Sequence, residues 1–187
     1  MKGCLYSIGY QGYSDIQKFV GALKQFGVEV LIDVRSVPYS KYYKSWNKEN
    51  LNNELMKQGI YYRNFKRAFG ARQDDLKFYS NGRLDFELFS KSEQFVNGVE
   101  RVEKSNAVIC FMCSESLPSE CHRSILVTRT FSEKGCDVLH ILKSLKTVTQ
   151  KDIEKKLVNT YFGNVGLSKL CVDEAYRLQN DKIGWKK

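Results

Sequence analysis

A chain of 187 residues, of which 42% are hydrophobic and 27% charged, is long enough for one domain with a substantial core and too apolar to be disordered. It contains no run of about 18 apolar residues, and its amino terminus is too polar for a signal peptide, so we expect a cytoplasmic protein without a membrane span. Thirty Lys and Arg residues against 21 Asp and Glu residues give a net charge of +9, which favours anionic partners.

Six cysteines are spread along the chain, and most of them lie in apolar segments that predict strands or helices. A reduced, buried thiol is the ordinary state of cysteine in such segments, and a chain of this length does not need disulfide bonds to fold. We therefore expect the thiols to be reduced. The cysteines are Cys4, Cys110, Cys113, Cys121, Cys136 and Cys171.

The amino-terminal part of the chain alternates predicted strands and helices. Residues 3–8 predict the first strand, and residues 28–34 predict a second strand that is buried on both faces, because all but Glu29 and Asp33 suit an apolar strand. A helix is expected between them, with Ser14 as its N-cap and Gly27 as its stop signal. The apolar positions on one face of this helix are Ile16, Phe19, Val20, Leu23 and Phe26.

The same alternation continues to the carboxyl terminus. Residues 48–58, capped by Asn47, predict a helix and residues 60–65 a strand, whereas residues 66–83 show no periodicity and predict a long loop. The later predicted elements are helices at 84–89, 92–104 and 124–133, strands at 107–112 and 136–142, and helices at 148–161 and 167–179. Such alternation indicates an α/β fold with a mostly parallel sheet of about five strands and helices on both faces.

No repeat, linker or low-complexity segment divides the chain. We expect residues 1–187 to form a single α/β domain, with its core at about residues 3–142 and a helical C-terminal extension at about residues 148–182. The extension either caps the sheet or mediates association, which leaves room for a dimer.

Residues 35–83, here called the basic-aromatic segment, carry most of the excess positive charge. The segment contains eleven basic residues, four acidic residues and ten of the 24 aromatic residues. Interleaved cations and aromatic rings can hold phosphates while bases stack on the rings. The alternative is a solvated basic surface whose aromatic side chains face the core.

Three loops that follow predicted strands carry the candidate functional residues. The carboxyl ends of parallel strands meet at one edge of a sheet, where ligands bind. In the first loop, residues 9–14, glycines let backbone amides approach an anion, with Tyr10 and Ser14 as candidate ligand-binding residues. The alternative for this loop is an ordinary tight turn, because it matches no established phosphate-binding pattern.

The second loop follows Asp33. An aspartate in an apolar strand is costly to bury without a partner, and Arg35 points to the same face two residues later. The two residues are therefore either a structural ion pair or a catalytic carboxylate beside a phosphate-binding arginine. Ser36 is a further candidate for contact with phosphate.

The third loop, residues 113–123, concentrates reactive side chains after an apolar strand. Cys121 precedes a predicted helix, whose dipole lowers the pKa of a thiol and makes it a nucleophile. His122 is a candidate base and Arg123 a candidate anion ligand. Glu115 is the preferred catalytic carboxylate of this loop, because it lies at the strand end.

Glu115 and Asp33 together would form a two-carboxylate arrangement suited to acid–base or glycosidic chemistry. A Cys-x7-Cys-His pattern can also be part of a zinc site, but zinc needs a further ligand and the only other histidine, His140, lies in a predicted strand. We therefore assign no metal site. In a third alternative, His122 and Arg123 are hydrogen-bonded groups that only close the loop.

These motifs resemble the family called domain of unknown function 488. They follow one another in order over about residues 5–142. The matching segments are Ser7-Ile-Gly-Tyr10, Asp33-Val-Arg-Ser-Val-Pro-Tyr-Ser40, Gly59-Ile-Tyr-Tyr62, Met112-Cys-Ser-Glu115, Cys121-His-Arg123 and Val138-Leu-His-Ile141.

The resemblance implies a Rossmann-like three-layer α/β sandwich with the motif residues clustered at one end. It implies no settled activity and no cofactor. The chain departs from the family at Tyr10, where His is common, at Ser114, where Ala is common, and at residues 68–71, which replace a Leu-Gly-Gly segment.

Two functions remain from the sequence, besides a less favoured thiol redox role for Cys113 and Cys121. The first is an enzyme that acts on a nucleotide or nucleic acid, with Glu115, Asp33, Cys121 and His122 as catalytic residues. Its phosphate-binding residues would be Arg35, Arg123, Tyr10, Ser14 and Ser36. The alternative is a non-catalytic module that binds nucleic acid through the basic-aromatic segment.

Overall fold

The computed structural model describes residues 4–187, and its centre is a six-stranded sheet. The strands of the chain are β1 (Leu5–Gly9), β2 (Val30–Asp33), β3 (Tyr61–Asn64), β4 (Tyr79–Ser80), β5 (Arg83–Leu84), β6 (Ile109–Cys113), β7 (Val138–Ile141) and β8 (Thr147–Thr149). The sheet has the order β3-β2-β6-β1-β7-β8, and β4 and β5 form a separate antiparallel hairpin. Gly3, the predicted start of the first strand, lies outside the described residues.

Helices cover both faces of the sheet. They are α1 (Ile16–Gln25), α2 (Lys48–Met56), α3 (Lys66–Phe69), α4 (Phe86–Ser90), α5 (Glu93–Glu103), α6 (Arg129–Glu133), α7 (Gln150–Phe162) and α8 (Lys169–Ile183). The turns at Arg123–Thr128, just before α6, are π-helical. In the described part of the chain, no helix is long and apolar enough to cross a membrane.

The strand pairing confirms the predicted α/β class. The pairs of β1 with β6 and β7, and of β2 with β3 and β6, are all parallel. The carboxyl ends of these strands therefore lie at one edge, from which the loops after β1, β2, β3 and β6 leave. The sheet has six strands instead of about five, because β8 pairs antiparallel with β7. The sequence predicts a helix from residue 148 and so misses β8, since three residues are too few to show strand alternation.

Alternating strand residues feed two apolar clusters on opposite faces of the sheet, as expected for a three-layer sandwich. One cluster contains Ile8, Leu31 and Met112 from the strands and packs on α1 and α2. The other is rich in phenylalanine and includes Phe111 from β6. Residues of α7 and α8, the predicted C-terminal extension, join this second cluster.

Two predicted helix caps differ in detail from the structure. Asp15, and not Ser14, caps α1: its carboxylate accepts a hydrogen bond from the backbone N–H of Lys18. The Ser14 hydroxyl instead donates to Asp15. Asn47 does occupy the N-cap position of α2, but its side-chain oxygen accepts from the backbone N–H of Ser40 at 2.6 Å and so fastens the preceding loop.

Residues 66–83 are not a continuous loop. They include α3, a short 3-10 turn at Leu76–Phe78, β4 and the first residue of β5. The segment is held down by Phe69 and Phe78, which are buried in the phenylalanine-rich cluster. The elements are too short for a periodic pattern, which is why the sequence predicted a loop.

A chain of buried hydrogen bonds crosses from the sheet to α7. Ser7 Oγ lies 2.7 Å from His140 Nδ1, and His140 Nε2 lies 2.9 Å from Gln150 Oε1. Because the amide oxygen of Gln150 only accepts, Nε2 carries the proton of the imidazole and Nδ1 accepts from the Ser7 hydroxyl. Gln150 donates in turn to the Tyr176 hydroxyl of α8. The network therefore needs a neutral His140.

We expect His140 to remain neutral well below the pH at which an exposed histidine is protonated. Burial, with the positive charge of Arg123, lowers the pKa of His140 to about 3. In an NMR titration from about pH 8 to about pH 5, the His140 ring signals should not shift. The chain has two histidines, so a His122→Asn variant assigns the signals.

The low pKa of His140 also predicts how stability depends on pH. The unfolded chain takes up a proton near pH 6.5, whereas the folded chain does so only near pH 3. The contribution of His140 to the free energy of unfolding therefore decreases as the pH falls between these values. A His140 signal that titrates near pH 6.5 in the folded protein would contradict this assignment.

Candidate functional site

The loop after β6 returns its second cysteine to the end of the strand that carries the first. Cys113 is the last residue of β6, a 3-10 turn follows at Pro118–Glu120, and Cys121 donates its backbone N–H to the Pro118 carbonyl. The donor atoms of Cys113, Cys121 and His122 consequently lie within 4.8 Å of one another, and all three residues are buried. These three side chains are here called the thiol-imidazole cluster.

The orientation of His122 is set by a backbone carbonyl. Its Nε2 lies 3.1 Å from the carbonyl oxygen of Val34, which can only accept, so Nε2 bears a proton. Nδ1 then faces the two thiols, at 3.8 Å from Cys113 Sγ and 3.9 Å from Cys121 Sγ. Burial alone would lower the pKa of His122, but contact with Cys121 raises it above its ordinary value.

The two cysteines differ in their readiness to lose a proton. Burial raises the pKa of Cys113 well above its ordinary value. Burial acts in the same direction on Cys121, but the contact with Cys113 and the charges of Arg123 and His122 bring its pKa well below the ordinary value. Cys121 is therefore the residue of the cluster in which a thiolate is stabilised.

Glu115 lies beside Cys121. The Cys121 thiol donates a hydrogen bond to Glu115 Oε2 at 3.0 Å. Burial and the neighbouring Cys121 raise the pKa of Glu115 above its ordinary value. Glu115 is only partly buried, in contrast to Cys113, Cys121 and His122, and so forms the solvent side of the group.

Arg123 fixes the loop from inside. The residue is fully buried, and its guanidinium donates to the backbone carbonyls of Glu115 and Ser116 and, at 3.4 Å, to Ser7 Oγ of β1. The Glu115 carbonyl also lies so close to Gly9 that a Cβ atom at residue 9 would overlap it. The guanidinium of Arg123, which the sequence made a candidate anion ligand, therefore donates to the protein's own loop.

Asp33 and Arg35 form a separate, buried ion pair. Arg35 Nη2 is 2.7 Å from Asp33 Oδ2, and Arg35 Nε contacts both carboxylate oxygens, at 2.9 and 3.0 Å. The Tyr62 hydroxyl donates to the same carboxylate at 2.6 Å. The guanidinium also lies 5.2 Å from the centre of the Tyr10 ring, which stacks on Trp46. Of the two alternatives that the sequence left open for Asp33 and Arg35, this geometry is that of the structural ion pair.

The two groups occupy opposite faces of the sheet. Asp33 is in register with Met112 in the neighbouring parallel strand, and so shares the face of Met112. Cys113, the next residue in β6, points to the other face. The structure therefore does not bring Asp33 and Glu115 together as a carboxylate pair, and His122 connects the two groups through its contact with the carbonyl of Val34.

The remaining predicted ligand-binding residues are dispersed. Tyr10 is buried against Trp46, and Ser14 is exposed beside Asp15. The Ser36 hydroxyl accepts the backbone N–H of Arg72 at 2.8 Å, which joins the loop after β2 to the loop after α3.

Comparison with known proteins places the chain in a family. The family model described as "Domain of unknown function DUF488" matches residues 15–130. The chain belongs to the DUF488 family. No curated protein and no solved structure matched it. The matched range contains both the Asp33–Arg35 pair and the thiol-imidazole cluster of this DUF488 protein.

Tyr62 is a site residue that the sequence analysis of this DUF488 protein did not single out. Its hydroxyl adds a hydrogen bond to the Asp33 carboxylate beside those from Arg35, across the parallel pair of β2 and β3. The only sign of this role in the sequence is the pair of tyrosines in the segment 59–62. The pair points to Asp33 only once β3 is known to lie beside β2. Tyr61, which points the other way, is exposed.

The basic-aromatic segment of the DUF488 protein divides between core and surface. Trp46, Phe65, Phe69 and Phe78 are buried. The loop between β2 and α2 instead exposes three tyrosines, with 61% of the residue exposed at Tyr39, 89% at Tyr42 and 64% at Tyr43. Some aromatic side chains of the segment thus face the core, as one alternative from the sequence expects, and others are exposed, as the other alternative expects.

Proposed function

We propose that this protein binds single-stranded nucleic acid along the carboxyl edge of its sheet, through the loop between β2 and α2. The observation that carries the proposal is the exposure of Tyr39, Tyr42 and Tyr43 on one loop that also bears Lys41 and Lys44. Single exposed aromatic side chains are common on protein surfaces, but three within five consecutive positions form a surface on which bases can stack.

The charges around this surface support the same ligand. Lys41 and Lys44, and the exposed Lys66 and Arg67 of α3, take part in none of the ion pairs formed among residues 4–187. Unpaired cations on this loop and on α3 can neutralise phosphates of one strand, and this contribution to affinity is independent of the nucleotide sequence. The ligand would thus be bound by its backbone and stacked bases.

We expect alanine substitution of Tyr42 and Tyr43 to weaken binding by about 10-fold or more, since stacking contributes about 1–3 kcal/mol per base. The measurement is fluorescence anisotropy with labelled single-stranded DNA and RNA of mixed sequence. Replacing Lys41 and Lys44 with alanine should also reduce the slope of log K against log salt by about 1.4, which is about 0.7 per phosphate.

The matched controls are Phe162→Ala and Lys155→Ala. Both residues are exposed on α7, which packs with the opposite apolar cluster from α2. These variants should bind as the unaltered protein does. Affinity that is insensitive to both pairs of loop substitutions, or that does not depend on salt, would contradict the proposal.

A second candidate is that the bound nucleotide or nucleic acid is also a substrate. The observation in its favour is Glu115, a partly exposed carboxyl at the same sheet edge beside the Cys121 thiol. Oligonucleotides and free nucleotides recovered from the binding assay can be analysed by mass spectrometry. Products formed by the unaltered protein and absent with Glu115→Gln support an enzyme, whereas intact ligands support a binding module.

A further inference from the structure

We propose that Cys113, Cys121 and His122 hold a zinc ion, with the Glu115 carboxylate at the fourth position. The inference does not depend on nucleic-acid binding, because it concerns the thiol-imidazole cluster alone. Two thiolates, one imidazole and one carboxylate are an ordinary donor set for Zn²⁺, which is bound tetrahedrally by sulfur, nitrogen and oxygen.

The spacing of the donor atoms fits a common metal ion. Zn–S distances of about 2.3 Å and Zn–N distances of about 2.0–2.1 Å place tetrahedral ligand atoms about 3.6–3.8 Å apart. His122 Nδ1 lies 3.8 Å from Cys113 Sγ and 3.9 Å from Cys121 Sγ. All the donor atoms of the three residues lie within 4.8 Å of one another, so only small side-chain movements would be needed.

The imidazole of His122 has the tautomer and the orientation of a metal ligand. Metal-bound histidines usually donate their other ring N–H to a carbonyl or carboxylate, which fixes the tautomer and the ring orientation. His122 makes this contact through Nε2 to the Val34 carbonyl and turns the lone pair of Nδ1 toward the thiols.

Glu115 completes the donor set. Its Oε2 lies 3.0 Å from Cys121 Sγ, a hydrogen-bond distance that would lengthen to about 3.5 Å when both atoms bind one ion. This residue is the further ligand that the Cys-x7-Cys-His pattern lacked. The other histidine of the chain, His140, is not that ligand, because it contacts Ser7 and Gln150.

The charge of Arg123 is consistent with an anionic metal centre. The guanidinium is fully buried, and its hydrogen bonds go to two backbone carbonyls and a hydroxyl, all of them neutral. Buried charges are normally compensated by a nearby opposite charge. A divalent ion with two thiolates and one carboxylate has a net negative charge. This charge would compensate the positive charge of the Arg123 guanidinium, which donates to the same loop.

The loop is held rigidly enough to present these ligands. Gln179 of α8 donates to the Ser119 carbonyl at 2.7 Å, and Cys113 and Cys121 are packed in the phenylalanine-rich cluster. A preformed donor set does not have to be ordered when the ion binds, which favours tight binding.

The test is the metal content of the full chain. Protein purified after supplementation with zinc alone and removal of excess metal should contain about one zinc ion per chain by elemental analysis. Cobalt substitution should give the ligand-field and thiolate charge-transfer bands of a tetrahedral site. Cys121→Ser and His122→Asn should lose at least about 10-fold in zinc affinity. Glu115→Gln should lose zinc affinity to a smaller extent than these two variants.

Cys110→Ala is the matched control, because Cys110 is also fully buried in β6 but faces the opposite cluster. It should retain zinc at the level of the unaltered protein. If the ligand variants do not fold, the unaltered protein still decides: adding zinc to the chelator-treated protein should raise its melting temperature and should displace cobalt from the site. Negligible zinc content without cobalt bands, or a disulfide between Cys113 and Cys121 in the purified protein, would overturn the proposal.

Discussion

Replacing Arg123 with alanine is expected to lower the free energy of unfolding by about 3–5 kcal/mol. The substitution removes three hydrogen bonds at once, to the carbonyls of Glu115 and Ser116 and to Ser7 Oγ. It also leaves a cavity where a fully buried side chain stood. The measurement is urea-induced unfolding followed by circular dichroism.

Arg177→Ala is the control for the loss of an arginine. Arg177 is 58% exposed and pairs with Glu174 and Asp181 on the surface of α8, so its removal should cost less than about 1 kcal/mol. Arg123→Lys should fall between the two, because lysine keeps the charge but lacks the planar fork. A cost for Arg123→Ala as small as that of the control would show that the loop does not depend on this residue.

Replacing Asp33 with alanine is expected to cost a similar amount, about 3–5 kcal/mol, for a different reason. The carboxylate receives hydrogen bonds from Arg35 and from Tyr62, and Arg35 is itself buried. Loss of Asp33 therefore leaves a buried guanidinium without an opposite charge. The free energy of unfolding measured in urea gives the cost.

A double-mutant cycle separates this effect from simple loss of packing. The variant Asp33→Ala with Arg35→Ala should be less destabilised than the sum of the two single variants, by about 1–3 kcal/mol, because it leaves no unpaired charge. Strictly additive costs would mean that the two side chains do not stabilise each other, contrary to the distances between them.

The fold was accessible from the sequence because its main strands are long apolar runs. Residues 107–112 and 28–34 predicted β6 and β2, and the helices between them followed from 3.6-residue periodicity and glycine stop signals. The predicted class and the family are confirmed. The missed elements β4, β5 and β8 have two or three residues each, too few for a pattern to emerge.

The site was less accessible, because its arrangement depends on strand register. The sequence indicated correctly that the loops after β1, β2 and β6 leave the sheet at one edge. It could not show that Asp33 lies beside Met112 rather than Cys113, a difference of one residue that moves a side chain to the other face. The expected convergence of Asp33 with Glu115 failed for this reason, although Glu115, Cys121 and His122 do come together within one loop.

The exposure of the tyrosines could not be predicted for another reason. Residues 39–43 lie in a loop without regular structure, where no periodicity separates inward from outward positions. The burial of Trp46 in the same segment shows that composition alone does not decide the matter. The functional proposal therefore rests on the structure of this loop more than on its residue content.

The most direct test of that proposal is ultraviolet cross-linking of the protein to a single-stranded oligonucleotide, with the modified peptides identified by mass spectrometry. Stacked bases cross-link to the aromatic rings on which they lie, so we expect adducts at Tyr39, Tyr42 or Tyr43. Adducts confined to other parts of the chain, or none at an oligonucleotide concentration that saturates binding, would contradict the account.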